Sequence, residues 1–253
     1  MRYAHLASSC LLSTDRSEAE TTEAFGNVLS GEQASIWYSY LRNAILGVEE
    51  IKDMFWDKIS PLYDIFENIY NGKVYTGTGK KVAELIDSSD EVLECACGTG
   101  AISIYIAQKC KKLIATDFAP GMLRRAAKKC RNYPNVVFKK ADITNIKCKD
   151  ARFDKVVAGN VIHLLPDPEK ALHELERVVK PGGEIIIPTY INMSKGTGTA
   201  AVKFITLLGA DFKRQFDLDS YKAFFEDKGY TGVEYHVVDG RMPCAIAVIT
   251  KAK

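Results

Sequence analysis

Several residue groups in this sequence have types and spacings that could do chemistry. The first is Val92-Leu93-Glu94-Cys95-Ala96-Cys97-Gly98-Thr99-Gly100, an apolar run that meets an acid and enters a glycine turn. Glycines at 98 and 100 let the backbone approach a ligand closely, and a helix opening after them would offer unpaired N–H groups to a carboxylate or phosphate. Some 20 residues on, the apolar run 112–116 ends at Asp117. An acid at such a strand end can accept hydrogen bonds from both hydroxyls of a ribose, so the pair points to an adenosine-containing ligand, a dinucleotide or adenosylmethionine. The plainer alternative is a tight turn at the glycines and a helix cap at Asp117, just before Pro120.

Further groups follow. Ala141-Asp142-Ile143 sits after a third apolar run, where Asp142 could equally be a turn residue. The stretch FDKVVAGNVIHLLPDP, Phe153 to Pro168, carries Gly159, Asn160, Val161 and His163. An imidazole whose unperturbed pKa is near 6.5 suits a general base, or it packs against the sheet. Tyr63, Tyr70 and Tyr75 lie upstream of the glycine turn, Tyr190 just beyond the fifth strand and Phe204 in the segment after it. Cys95 and Cys97 flank the strand end, and the pair is read as packing rather than a shared metal.

These motifs carry a resemblance. Glu94 to Gly100 resembles motif I of class I methyltransferases, an acid followed by GxGxG, with Ala96 in place of the first glycine. Ala141 to Ile143 looks like the family motif whose acid reaches the adenine amino group while the next residue packs on the ring. FDKVVAGNVIHLLPDP and VVKPGG are similar to the branch that includes the ubiquinone and menaquinone biosynthesis methyltransferases, and WDKISPLYD resembles its entry motif. The resemblance runs from about Asp57 to Lys251 and implies S-adenosyl-L-methionine as cofactor. It assigns Tyr63, Glu94, Ala96, Cys97, Gly98, Gly100, Asp117, Phe118, Met122, Asp142, Ile143, Asn160 and Val161 to the cofactor. Tyr70, Tyr75, His163, Tyr190 and Phe204 go to a small-molecule acceptor, with His163 the catalytic candidate and no metal. Ser103 stands where a dinucleotide fold prefers a third glycine, which counts against an NAD(P)-dependent oxidoreductase. A non-catalytic cofactor-binding protein is the other alternative.

The elements that must position these residues are legible as alternating short apolar runs and amphipathic helices, the rhythm of βαβ units. Strands are expected near 91–95, 112–116, 135–139, 153–158 and 183–189, with helices from Pro120 and from about Pro168. A final strand pair, 233–238 and 245–250, turns at Asp239-Gly240. The fold class is α/β: a Rossmann-like doubly wound sheet, mostly parallel, with a C-terminal antiparallel hairpin and N-terminal helices. Residues 1–31 read as a leader or loosely ordered segment, 32–88 as a helical cover and 89–253 as the methyltransferase domain.

Composition narrows the rest. Lys and Arg number 34 against 32 Asp and Glu, for a net charge of +2, and no basic stripe for nucleic acid is evident in the sequence. Seven cysteines without CxxC spacing suit a reducing, cytoplasmic compartment. No apolar run approaches the roughly 18 residues of a membrane span, and the apolar stretch 4–12 is short for a signal sequence.

Overall fold

A computed structural model describes residues 71–192 and 214–253, all within the second of two units into which the chain divides at Lys52 and Asp53. Helix α1 occupies 71–84. It leads to β1 (Glu91–Cys95), the single turn α2 (Ser103–Ile106), β2 (Lys112–Asp117), α3 (Pro120–Lys129) and β3 (Val136–Lys140). After these come β4 (Phe153–Ala158), α4 (Pro168–Val178), β5 (Val179–Tyr190), α5 (Leu218–Glu226), β6 (Glu234–Val238) and β7 (Cys244–Thr250). The expected leader or loosely ordered segment and the expected helical cover up to residue 70 lie outside the described residues.

The sheet has seven strands in the order β3-β2-β1-β4-β5-β7-β6. Strands β1 to β5 run parallel, and β7 is antiparallel to both β5 and β6, the expected closing hairpin. The winding reverses between β1 and β4, which pair with Leu93 beside Val156 and Cys95 beside Ala158. Open α/β sheets bind ligands in the crevice at such a switch point, outside the carboxyl ends of the strands. The segments after β1 and β4 therefore emerge side by side at the place where a site belongs.

Helices cover both faces, so the central strands are apolar throughout rather than alternating; Ile185, Ile186 and Ile187 of β5 are all fully buried. One face packs Leu93 and Phe153 against Leu172 and Leu175 of α4 and Tyr221 and Phe225 of α5. The other packs Leu113 and Val157 against Val74 and Val82 of α1, Ile106 of α2 and Ala126 of α3. Helix α1 lies close on its neighbours, since an added Cβ at Gly240 would strike Val74 and one at Gly79 would strike the Tyr105 ring. Helix α4 opens with Pro168 at its first position and Asp167 as cap, its carboxylate accepting from Lys170 N.

Four features depart from the sequence reading. The helix expected after the glycine turn is one turn long, because Ile102, Ile104, Tyr105 and Ile106 are β-branched or aromatic and lose side-chain freedom in a helix. Strand β5 starts at Val179 rather than 183, through a register shift that spans Lys180 to Gly183. Gly183 has no room for a side chain there, where a Cβ would lie 2.6 Å from the Asp154 carbonyl oxygen. Helix α5 was not expected, although Asp217 and Ser220 form a capping box ahead of the aromatic run, and the Tyr221 hydroxyl donates to Ile187 O at 2.6 Å. Finally, ten Lys and Arg fall between Lys109 and Lys140 against one acid, Asp117, so the balanced totals conceal a cationic edge along α3 and β3. Lysines 139 and 140 at the end of edge strand β3, beside exposed Val137, discourage edge-to-edge pairing. Among the described residues no helix is long and apolar enough to cross a membrane.

Candidate functional site

The glycine turn is built from left-handed backbone: φ is 52° at Ala96, 55° at Gly98 and 81° at Gly100. The two glycines serve different ends. A Cβ at Gly100 would sit 3.0 Å from Ala126 Cα, so its absence lets α3 close on the turn, whereas a Cβ at Gly98 would meet nothing within 4 Å. Gly98 thus presents bare backbone to open space, the geometry of close approach to a ligand. Asp117, buried at the end of β2, holds this arrangement: Gly98 N donates to its Oδ2 at 2.8 Å and Ala119 N to its Oδ1 at 2.9 Å. Those bonds use two of the roughly four acceptor sites of a carboxylate. Asp117 therefore does perform the turn-and-cap role that the sequence admits, while standing at the wall of the crevice.

Ala96 takes the left-handed conformation at a cost of about 1 to 2 kcal/mol, partly offset by the smaller backbone entropy it loses on folding than glycine would. Ala96→Gly is accordingly expected to raise stability by about 0.5 to 1 kcal/mol. A thermal or denaturant midpoint that falls would contradict the strain at this position.

Beneath the turn lies Glu94, almost fully buried, with Ser103 Oγ donating to its Oε2 at 2.5 Å. Burial pushes the Glu94 pKa up to about 8; the bond from Ser103 opposes the shift and the charge of Asp117 adds to it. Its carboxyl is mostly protonated at neutral pH. Ser103, at the position of a dinucleotide fold's third glycine, is committed to Glu94. Cys95 packs in the cluster on one face of the sheet and Cys97 in the cluster on the other, so the pair cannot share a ligand. Burial lifts the Cys95 thiol to about 12.

On the β3 side, exposed Asp142 accepts from both Thr144 N and Thr144 Oγ1 at 2.8 Å, and Ile143 is buried behind it. This loop is fixed by a pair that sequence reasoning missed. Arg177 donates to Glu174 through Nε (2.7 Å) and to Ile146 O (2.8 Å) and Cys148 O (2.9 Å) through its other nitrogens, while Glu174 accepts from Ile146 N at 2.6 Å. Hydrogen bonding to Arg177 lowers the Glu174 pKa. The i, i+3 spacing of Glu174 and Arg177 on α4 was the available signal, but it suggests a surface pair, not a loop anchor. Phe118 is half-buried with Lys140 Nζ 5.1 Å from its ring centroid, and Met122 is buried in α3.

The segment after β4 is equally constrained. Asn160 has φ of 53°, its N–H donates to Pro188 O at 2.7 Å and its Oδ1 accepts from Tyr190 N at 3.1 Å, which ties the ends of β4 and β5 together. Val161 and His163 are buried, and burial pushes the His163 pKa down to about 4. Arg214, where the described chain resumes, donates to His163 O at 3.1 Å and to Leu165 O at 2.9 Å. A Cβ at Gly159 would strike Ile102, so the two loops adjoin. Tyr75 is drawn to the glycine turn, its hydroxyl 3.5 Å from Thr99 Oγ1. Of the remaining expected contacts, Tyr63, Tyr70 and Phe204 lie outside the described residues. The fold thus brings Glu94 to Gly100, Asp117 to Ala119, Gly159 to His163 and Tyr190 to one end of the sheet.

Comparison with known proteins agrees with this geometry. Residues 93–187 match a family described as a methyltransferase domain. The demethylmenaquinone methyltransferase of Clavibacter sepedonicus is 32% identical over 142 residues, 54% of this chain and 57% of that protein. The ubiquinone/menaquinone biosynthesis C-methyltransferase of Bdellovibrio bacteriovorus is 32% identical over 148 residues, 55% of this chain and 61% of that protein. The chain spans under two thirds of the length of these curated relatives. Among solved structures, a SAM-dependent methyltransferase of Thermotoga maritima superposes with a TM-score of 0.59 at 16% identity, covering 78% of this chain and 99% of that one.

Proposed function

We propose that this chain, whose residues 93–187 match a methyltransferase domain, transfers a methyl group from S-adenosylmethionine to a small-molecule acceptor. The observation that carries this reading is the open backbone at Gly98 beside Asp117 at the sheet's switch point. The residues fit the cofactor. Asp117 would take the ribose hydroxyls through its remaining acceptor sites, Asp142 the adenine amino group with Ile143 against the ring, and the bare backbone at Gly98 would lie against the amino-acid end. Asn160 and Val161 would wall the sulfonium end. The cofactor supplies an already activated methyl group, so the protein's main tasks are to align the acceptor and exclude water. Half-buried, hydrogen-bonded Asn160 and buried, apolar Val161 suit that work. The names of the relatives make a quinone-type ring the first acceptor class to try. Tyr190 is the described candidate for contact with it, Tyr70 and Phe204 are the other proposed acceptor contacts, and Tyr63 is proposed for the cofactor. Buried thiols at Cys95, Cys97, Cys110 and Cys130 suit a reducing, cytoplasmic setting.

His163 is assigned to alignment rather than proton transfer, because a base of pKa about 4 accepts protons poorly at neutral pH. His163→Ala is expected to leave cofactor affinity within about twofold while turnover falls roughly 10-fold or more. The pH profile of the intact enzyme should carry no His163 limb near pH 6 to 7. A limb there that disappears in the variant would restore the general-base role.

The test of the reading is incubation with methyl-labelled S-adenosylmethionine and an acceptor panel headed by reduced naphthoquinones, followed by mass spectrometry. Label in an acceptor is the expected result. Tight cofactor binding with no labelled product across the panel would favour a non-catalytic binding protein instead.

A further inference from the structure

The glycine turn is held from its front by Asp117, through Gly98, and on another side by a second cluster, which takes in Tyr75, expected from the sequence as an acceptor contact. Thr99 lies between the two left-handed glycines and is buried, with its side chain turned into the protein. Lys129, the last residue of α3, donates through Nζ to the Tyr75 hydroxyl at 3.1 Å and to Thr99 Oγ1 at 3.4 Å. The same ammonium lies 5.6 Å from the centroid of the Tyr75 ring. Three elements, α1, the turn and α3, therefore converge on one hydroxyl of the loop. Gly100 against Ala126 adds the close packing that brings α3 within reach.

We infer that Lys129 is a positioning residue for the amino-acid end of the cofactor, acting through Thr99 and supported by Tyr75; this rests on the methyltransferase reading. The physical case has two parts. A turn of alternating glycines must be fixed in one shape before its bare backbone can meet a ligand, and a hydrogen bond from a charged donor to the middle residue helps to fix it. The ammonium also places positive charge behind the turn, and positive charge there favours a carboxylate in front of the bare backbone at Gly98. The adenosine end is held by other residues, Asp117 and the Asp142 loop. The effect of Lys129 should accordingly depend on whether the ligand has a carboxylate.

The experiment is calorimetric titration of the full chain and of Lys129→Met, Lys129→Arg and Tyr75→Phe with S-adenosylmethionine, S-adenosylhomocysteine and 5′-methylthioadenosine, which lacks the amino-acid end. Lys129→Met is expected to weaken the first two by roughly 10-fold and the third by less than about twofold. Lys129→Arg should recover most of the loss, and Tyr75→Phe should show an intermediate effect of the same pattern. Equal weakening of all three ligands, or none, overturns the inference and leaves Lys129 as a fold brace. Failure of the unaltered chain to bind any of them contradicts the methyltransferase reading itself, a separate outcome.

Discussion

Asp117→Ala should lower affinity for S-adenosylmethionine by about 1 to 3 kcal/mol, up to roughly 100-fold, while the chain stays folded. Two losses combine. The ribose hydroxyls lose a charged acceptor, and Gly98 N and Ala119 N lose the oxygens that fix the turn and the start of α3. Asp117→Asn separates them. An amide retains one carbonyl acceptor and presents an N–H₂ group where the second carboxylate oxygen stood, so it should recover part of the folding stability but little of the cofactor affinity. Titration of both variants, with the thermal midpoint as control, checks the prediction. A folded alanine variant with unchanged affinity would remove Asp117 from the ribose site.

The second large effect is on stability and comes from Glu94. Its folded pKa of about 8 lies above the ordinary 4.5, so the folded chain keeps a proton that the unfolded chain releases. The stability associated with that proton is fully present below the ordinary value and is lost as pH rises through 8, at about 1.4 kcal/mol per pH unit. His163 acts with the opposite sign. Its pKa falls from 6.5 to about 4 on folding, so its contribution grows as pH rises through that window. Where the windows overlap the two largely cancel. Between pH 6.5 and 8 His163 has finished changing and Glu94 has not, so the Glu94 contribution should decline by about 2 kcal/mol. Glu94→Gln keeps an acceptor for Ser103 Oγ and carries no titrating proton. The variant should lose the decline above pH 6.5 and exceed the unaltered chain by several kcal/mol at pH 9. Urea midpoints across this range would show it; parallel curves for the two proteins would mean that Glu94 is not the source.

Much of this site was legible because its parts obey local rules. Apolar runs buried on both sheet faces mark the strands, Pro120 and Pro168 mark helix starts, and glycines mark the turn. What the sequence could not show was partnership. Asp117 reads as either a cap or a ribose acceptor, and the structure shows it carrying the cap bonds at the wall of the crevice. Asn160 reads as a residue beside the sulfonium, yet its amide also ties β4 to β5. The Arg177 anchor and the Lys129 cluster join residues 28 to 54 positions apart, and nothing in linear spacing announces them. The single turn of α2 reflects a competition that pattern reading settles poorly: a helix is expected after the glycine turn, but Ile102, Ile104 and Ile106 are β-branched. Ala96 illustrates the converse. Its departure from glycine was visible at once, and only the backbone angle shows that the turn kept its shape at the cost of strain.

The central claim is that the crevice at Gly98 and Asp117 is an S-adenosylmethionine site. Calorimetric titration of the purified chain with S-adenosylmethionine, S-adenosylhomocysteine and NADH tests it most directly. Micromolar binding of the two sulfur compounds, with none of NADH, is the predicted result; binding of NADH alone would contradict it and place the chain among the oxidoreductases.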